Sequence, residues 1–175
     1  MKQMVKIAVS VVVAVLAVMA LPGCVTEDDG PVRSLAPGDM MPEFSVALSG
    51  GRVWDSREMS GKVCVIVFFS TGCADCRREL PELQKAYDAC MERQGVEFVC
   101  IAREQQEVEI GRYWSEHGLT MPYAPQSDRA VYSLFASAVI PRVYVVNRES
   151  VIAAVFSDAD TFSAMDIIAA VESAS

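Results

Sequence analysis

Three features of the sequence predict an α/β domain whose central mixed sheet is flanked by helices. Lys62 to Phe69 and Val96 to Ala102 are almost unbroken apolar runs, the pattern of strands covered on both faces. Between them Cys76, Leu80, Leu83, Tyr87 and Cys90 step by four and three residues, one stripe of a helix, so the segment is a βαβ unit. On either side lie paired short runs separated by turn residues, which read as hairpins, and helices must then cover the sheet.

The chain begins with a targeting segment. Lys2 and Lys6 precede an apolar run from Ile7 to Leu21 broken only by Ser10, too short for a comfortable transmembrane helix, so residues 1–23 read as a secretory signal. The ending Leu21-Pro22-Gly23-Cys24 resembles the bacterial lipobox, whose cysteine is acylated and becomes the first mature residue. Cys24 is then a lipid anchor that holds the protein to a membrane in the cell envelope, on the periplasmic face or the outer surface. An ordinary signal peptide with an unrelated cysteine, or an uncleaved anchor, is the alternative. Val25-Thr26-Glu27-Asp28-Asp29-Gly30-Pro31 is acidic, turn-rich and aperiodic, so residues 24–34 form the anchor and a flexible tether, and 35–175 one compact domain. The whole chain carries 15 basic and 23 acidic residues; loss of Lys2 and Lys6 leaves 13 basic and moves the net charge from -8 to -10, which excludes nucleic acid as a natural partner.

Within the domain, Phe44 to Leu48, the turn Ser49-Gly50-Gly51 and Arg52 to Trp54 form the first hairpin. The strand at 62–69 is the central one, and Pro81 kinks the helix that follows. Gly95 closes that helix before the strand at 96–102. Glu104 to His117 is a second helix ended by Gly118, and 121–125 is irregular. A short helix covers Asp128 to Ala136. Val143 to Val146 and Val151 to Phe156 make the second hairpin across Asn147 to Ser150. Thr161 to Ser173 is a terminal amphipathic helix capped by Thr161 or Asp160.

Cys73 and Cys76 sit where the central strand runs into the first helix. At i and i+3 they share a face, close enough for an unstrained disulfide, and the first lies at the helix N-terminus, where free N–H groups and the macrodipole favour a thiolate. A structural bridge over so small a loop removes little chain entropy. Zinc needs further ligands, and the chain has one histidine, His117; no metal and no cofactor is implied. Asp75 raises a neighbouring thiolate's pKa while Arg77 and Arg78 oppose it, so the net sign stays open. Cys64, Cys90 and Cys100 read as small core hydrophobes, or as a second disulfide in an oxidising compartment. Trp54, Trp114, Phe68 and Phe69 read as core, and His117 as a charge at a helix C-terminus.

A C-x-x-C after the first core strand, Pro81 five residues beyond it, Ile140-Pro141 before the last hairpin and the βαβ-ββα frame together resemble the thioredoxin fold. The N-terminal hairpin and the inserted helix at 104–117 make the chain, over about residues 35–173, similar to the TlpA/ResA-type thioredoxin-like oxidoreductases of the AhpC/TSA-Redoxin superfamily, membrane-tethered proteins outside the cytoplasm. The resemblance implies a redox disulfide of Cys73 and Cys76, with Cys73 as nucleophile and Cys76 as resolving thiol. It implies a cis-proline at Pro141, with the backbone of Ile140 pairing to a bound peptide. Glu79 matches a family glutamate implicated in proton transfer; the alternative is a solvent-facing helix residue. Arg142 either steers acidic substrates or is a solvated strand residue. Partners implied are exported proteins with cysteine pairs, apocytochrome c among them, and a membrane electron donor, with reduction the usual direction. The family's Trp before the first cysteine is Gly72 here, and Ala74-Asp75 differs from its usual intervening pair.

Two other classes compete. A peroxiredoxin-like peroxidase requires a Pro-x-x-x-Thr/Ser-x-x-Cys pattern; Ser70 fits the hydroxyl position, but Ile66 replaces the proline. A non-catalytic or copper-handling binding lipoprotein on the same frame is the other; copper versions space the cysteines one residue wider and add a downstream histidine.

Overall fold

The computed structural model describes residues 34–157 and 161–175. The expected signal at 1–23, Cys24, nearly all of the tether and Asp160 lie outside the described residues. The first hairpin is as expected: β1 (Ser45–Ala47) and β2 (Val53–Asp55) pair antiparallel with Val46 opposite Trp54, both buried. Gly50 and Gly51 make the turn at φ 86° each, a left-handed conformation that costs glycine nothing.

A five-stranded mixed sheet follows in the order β5-β4-β3-β6-β7. Its middle strand, β3 (Val63–Phe69), is buried at every position, as its unbroken apolar sequence requires. On one side it runs parallel to β4 (Val96–Ala102), pairing Phe69 with Ala102, and on the other antiparallel to β6 (Arg142–Val146), pairing Phe68 with Arg142. β7 (Ile152–Ser157) closes one edge. The other edge is β5 (Tyr123–Ala124), two residues parallel to β4. The sequence reading left 121–125 irregular; two residues between prolines carry no alternation from which a strand can be read.

The described residues hold four α-helices, α1 (Ala74–Cys90), α2 (Glu107–His117), α3 (Ala130–Phe135) and α4 (Ala164–Ser173), and one 3-10 turn at Ser56–Glu58. The stripe expected on α1 is buried at Cys76, Leu80, Leu83 and Cys90, with Tyr87 half-buried. Pro81 stands inside that helix without ending it. Helix α2 begins three residues later than expected because Glu104 adopts φ 60° and Gln105 pairs its backbone with Gln126. Helix α4 begins at Ala164, not Thr161. Its cap is Ser163, whose Oγ accepts the Asp166 N–H while the Asp166 carboxylate accepts the Ser163 N–H at 2.8 Å, a reciprocal capping box.

The core is aromatic on one side of β3. Phe68 meets Phe135 at 5.1 Å and Tyr132 at 5.4 Å between ring centroids, and Tyr144 donates its hydroxyl to the Phe135 carbonyl. Trp54, Trp114, Phe68 and Phe69 are all core, as expected. Cys64, Cys90 and Cys100 are buried free thiols, and burial pushes all three upward in pKa, Cys64 to about 12. The native state therefore keeps a proton that the unfolded chain releases above about pH 9. This contribution to stability is complete below pH 9 and is lost as pH rises toward 12, at up to about 1.4 kcal/mol per pH unit for each thiol. In denaturant unfolding, Cys64→Val should flatten the alkaline fall; an unchanged slope would contradict the burial argument.

Candidate functional site

The site forms where β3 ends and α1 begins. Ser70 to Gly72 turn the chain, and Cys73 occupies the cap position of α1 with extended backbone (φ -84°, ψ 127°) and no side-chain capping bond. Its N–H donates to the Ser70 carbonyl and its carbonyl accepts the Arg77 N–H, both at 3.1 Å. The Cys73 side chain is thus free for chemistry at the positive end of a 17-residue helix. Cys73 is half-buried and Cys76, one turn on, is fully buried. Burial is the main force pushing the Cys76 thiol up in pKa, and the adjacent Cys73 adds to it. The Ser70 backbone and the Arg103 charge act the other way. The two thiols are therefore unequal: the outer one meets solvent, and the inner one is held as a protonated reserve.

From the strand beside β3, the loop before β6 closes on the pair. Ile140-Pro141 is a cis peptide, as expected, with both residues buried. The Ile140 carbonyl lies 3.6 Å from Cys73 Sγ, within reach of the thiol proton. A sequence separation of 67 residues is bridged here, and Cys73, Cys76, Ile140 and Pro141 form one constellation.

Glu79 is buried, although it follows Arg77 and Arg78 on a helix and was weighed against a solvent-facing position. Its carboxylate accepts from Arg78 Nε at 3.0 Å, and Arg78 Nη1 reaches Asp75 at 2.7 Å. One guanidinium thus bonds to both acids of the first turns. Arg77 turns away and donates to the Thr71 carbonyl at 3.0 Å. Glu79 makes no direct hydrogen bond to either sulfur among the described residues. Arg142 is half-buried, its Nε without a partner and its Nη2 3.5 Å from the Ala138 carbonyl.

Sequence reasoning missed Gln105. Its Oε1 accepts the Thr71 N–H at 2.7 Å, and its Nε2 donates to Thr71 Oγ1 at 2.8 Å. With Arg77 on the carbonyl, every polar group of Thr71 is held, and the loop two residues before the nucleophile is fixed from both sides. Nothing local marks Gln105, which lies 34 residues away. Gln105→Ala should cost about 1–2 kcal/mol in urea unfolding and slow thiol exchange, because both bonds are lost. Gln105→Glu, which keeps an acceptor for the Thr71 N–H and can accept from its hydroxyl, should restore most of both; equal loss in the two variants would show that the clamp is not responsible.

Gly72 has no conformational need to be glycine: a Cβ there would meet only Ser70 Oγ, at 3.5 Å. The missing side chain borders a polar cleft of about 380 Å³ between this loop and α2, with Arg77, Arg112, Glu109 and Glu116 on its walls. Among the described residues no three His, Cys, Asp or Glu side chains gather in a metal-holding cluster.

The AhpC/TSA family model matches residues 37–155. The thiol-disulfide oxidoreductase ResA of Halalkalibacterium halodurans is 28% identical over 116 residues, 66% of this chain and 65% of that protein. ResA of Bacillus subtilis is 23% identical over 117 residues, 67% of this chain and 65% of its own length. The match thus spans about 65% of the length of these curated relatives. Among solved structures, a thiol:disulfide interchange protein of the thioredoxin family from Chlorobium tepidum superposes with a TM-score of 0.68 at 23% identity, covering 81% of this chain and 99% of that one. StoA from Bacillus subtilis gives 0.64 at 19% identity, over 77% and 98%. These likenesses establish a thioredoxin-like fold.

Proposed function

Since the chain belongs to the AhpC/TSA family, with ResA-type proteins as its relatives, we propose that it is a thiol-disulfide oxidoreductase that exchanges electrons with cysteine pairs of exported proteins through Cys73 and Cys76. The observation that carries this reading is the inequality of the two thiols: a half-buried Cys73 at the positive end of α1, 3.6 Å from the Ile140 carbonyl, over a buried Cys76.

The Cys73 thiolate attacks one sulfur of a substrate disulfide; that bond breaks, and the other substrate sulfur leaves and takes a proton. A mixed disulfide joins Cys73 to the substrate. Cys76 then loses its proton and attacks Cys73, which releases the second substrate thiol and leaves the Cys73–Cys76 disulfide. Two electrons and two protons pass to the substrate, and a membrane electron donor restores the dithiol. The substrate backbone lies along Ile140 beside Pro141, and Glu79 supplies and receives the Cys76 proton through water.

The basic start at Lys2 and Lys6, the apolar run and Cys24 support a location in the cell envelope, anchored by lipid. The usual direction in ResA-type proteins supports a reductant, with apocytochrome c a suitable class of substrate. Dithiothreitol-driven insulin reduction by the purified protein tests the activity; a rate no greater than that of dithiothreitol alone would sink it, and peroxide consumption coupled to Cys73 oxidation would favour a peroxidase instead. Equilibration with glutathione tests the direction: a potential well below the glutathione pool supports a reductant, and one above it an oxidant. Palmitate labelling that disappears in Cys24→Ala supports the anchor, and labelling that persists overturns it.

A further inference from the structure

The loop that brings Ile140 to Cys73 is held by side chains. Among the described residues the carbonyls of Ser137 to Ile140 accept no backbone N–H. Instead Arg129 Nη2 lies 3.3 Å from the Ser137 carbonyl and Arg142 Nη2 3.5 Å from that of Ala138. Tyr132 donates its hydroxyl to the Val139 carbonyl at 2.8 Å, and the next carbonyl, that of Ile140, meets Cys73 Sγ at 3.6 Å. The shortest of these bonds acts on the residue that most needs it. Val139 adopts φ 75°, a left-handed backbone in which Cβ crowds the following carbonyl. Glu104 and Ser150 also have positive φ, but of the three only Val139 is β-branched, the kind of residue that enters this region most rarely. Val139 is 37% exposed, so packing alone does not hold it there. Tyr132 can supply the constraint. It is 2% exposed, its ring meets Phe68 edge-on, and the guanidinium carbons of Arg103 and Arg129 lie 5.3 and 5.4 Å from its centroid. A ring so fixed aims its hydroxyl at one point, and the Val139 carbonyl occupies it.

We propose that Tyr132 is a positioning residue for disulfide exchange: its hydroxyl latches Val139 in the left-handed conformation, and the peptide plane so fixed presents the Ile140 backbone to a substrate chain beside Cys73. The path is short, because the Val139 carbonyl belongs to the peptide that begins Ile140, and the following carbonyl is the one against the Cys73 sulfur. Without the latch Val139 relaxes toward negative φ and turns that peptide. The Ile140 backbone then no longer lies where a substrate strand pairs with it within attacking distance of Cys73. The inference rests on Cys73 exchanging with a chain docked along Ile140, and it concerns that docking, not the reactivity of the sulfur. A small disulfide without a peptide backbone has nothing to pair with Ile140 and gains little from the latch.

A cyclic peptide disulfide and 2-hydroxyethyl disulfide, each given to the reduced full-length protein in detergent micelles, test this through the rate of Cys73–Cys76 oxidation. In Tyr132→Phe, which removes the hydroxyl and keeps the ring, the rate with the peptide relative to that with the small disulfide should fall about fivefold, the worth of one hydrogen bond. In a Val139→Gly background, where the left-handed backbone costs nothing, the same substitution should lower that ratio by less than about twofold. A ratio unmoved in Tyr132→Phe, or equal falls in the two backgrounds, overturns the latch while leaving thiol exchange intact. Urea unfolding tests residue 139 independently of Tyr132. Val139→Gly should unfold at a higher urea concentration than Val139→Ala, the reverse of the order at an ordinary backbone position; the ordinary order overturns the strain that the latch opposes. No reaction of the unsubstituted protein with either disulfide overturns the exchange reading itself.

Discussion

Cys73→Ser is expected to reduce insulin reduction to the rate of dithiothreitol alone, a loss of at least about 100-fold, because no other cysteine among the described residues can take its place. Cys76 is fully buried, and burial together with its neighbour keeps its proton on. Cys64, Cys90 and Cys100 are buried in the core and held as thiols by the same desolvation. Cys76→Ser should fail differently: attack on the substrate proceeds, turnover stops, and the mixed disulfide accumulates. Retention of more than a tenth of the activity in Cys73→Ser would show that exchange takes place elsewhere.

Glu79→Gln is expected to lower the exchange rate by about 100-fold, the size of a lost general acid–base contribution. A carboxylate is seldom buried without purpose or partner, and among the described residues Glu79 has only the Arg78 Nε contact at 3.0 Å. The glutamine keeps an oxygen for Arg78, and Arg78 keeps Asp75, so folding is largely retained. A small added carboxylic acid should restore part of the rate to Glu79→Gln and none to Cys73→Ser. A folded Glu79→Gln with normal exchange would make Glu79 a structural partner of Arg78 and nothing more.

The elements with strong periodicity were legible. The apolar runs at 62–69 and 96–102 gave the two central strands, the four-and-three stripe gave α1, and the C-x-x-C at their junction located the reactive pair. Ile140-Pro141 was expected beside the cysteines from resemblance, and the fold brings it there. Boundaries set by local backbone bonding were not legible: α2 gives up three residues to the Glu104 turn and the Gln105–Gln126 bridge, and α4 waits for the Ser163–Asp166 box. The sequence left Glu79 undecided between solvent and function, since the charged Arg77 and Arg78 before it conceal a buried position. Gln105 could not be found, because hydrogen bonds across 34 residues leave no mark on the local pattern. Asp75 pairs with Arg78, while Arg77 is committed to the Thr71 carbonyl.

The most direct test of the central claim is mass spectrometry of Cys76→Ser after incubation with a peptide that contains one disulfide. A covalent peptide adduct on Cys73, released by dithiothreitol, is the expected result. Absence of the adduct, or an adduct on Cys64, Cys90 or Cys100, would contradict the assignment of Cys73 as the exchanging nucleophile.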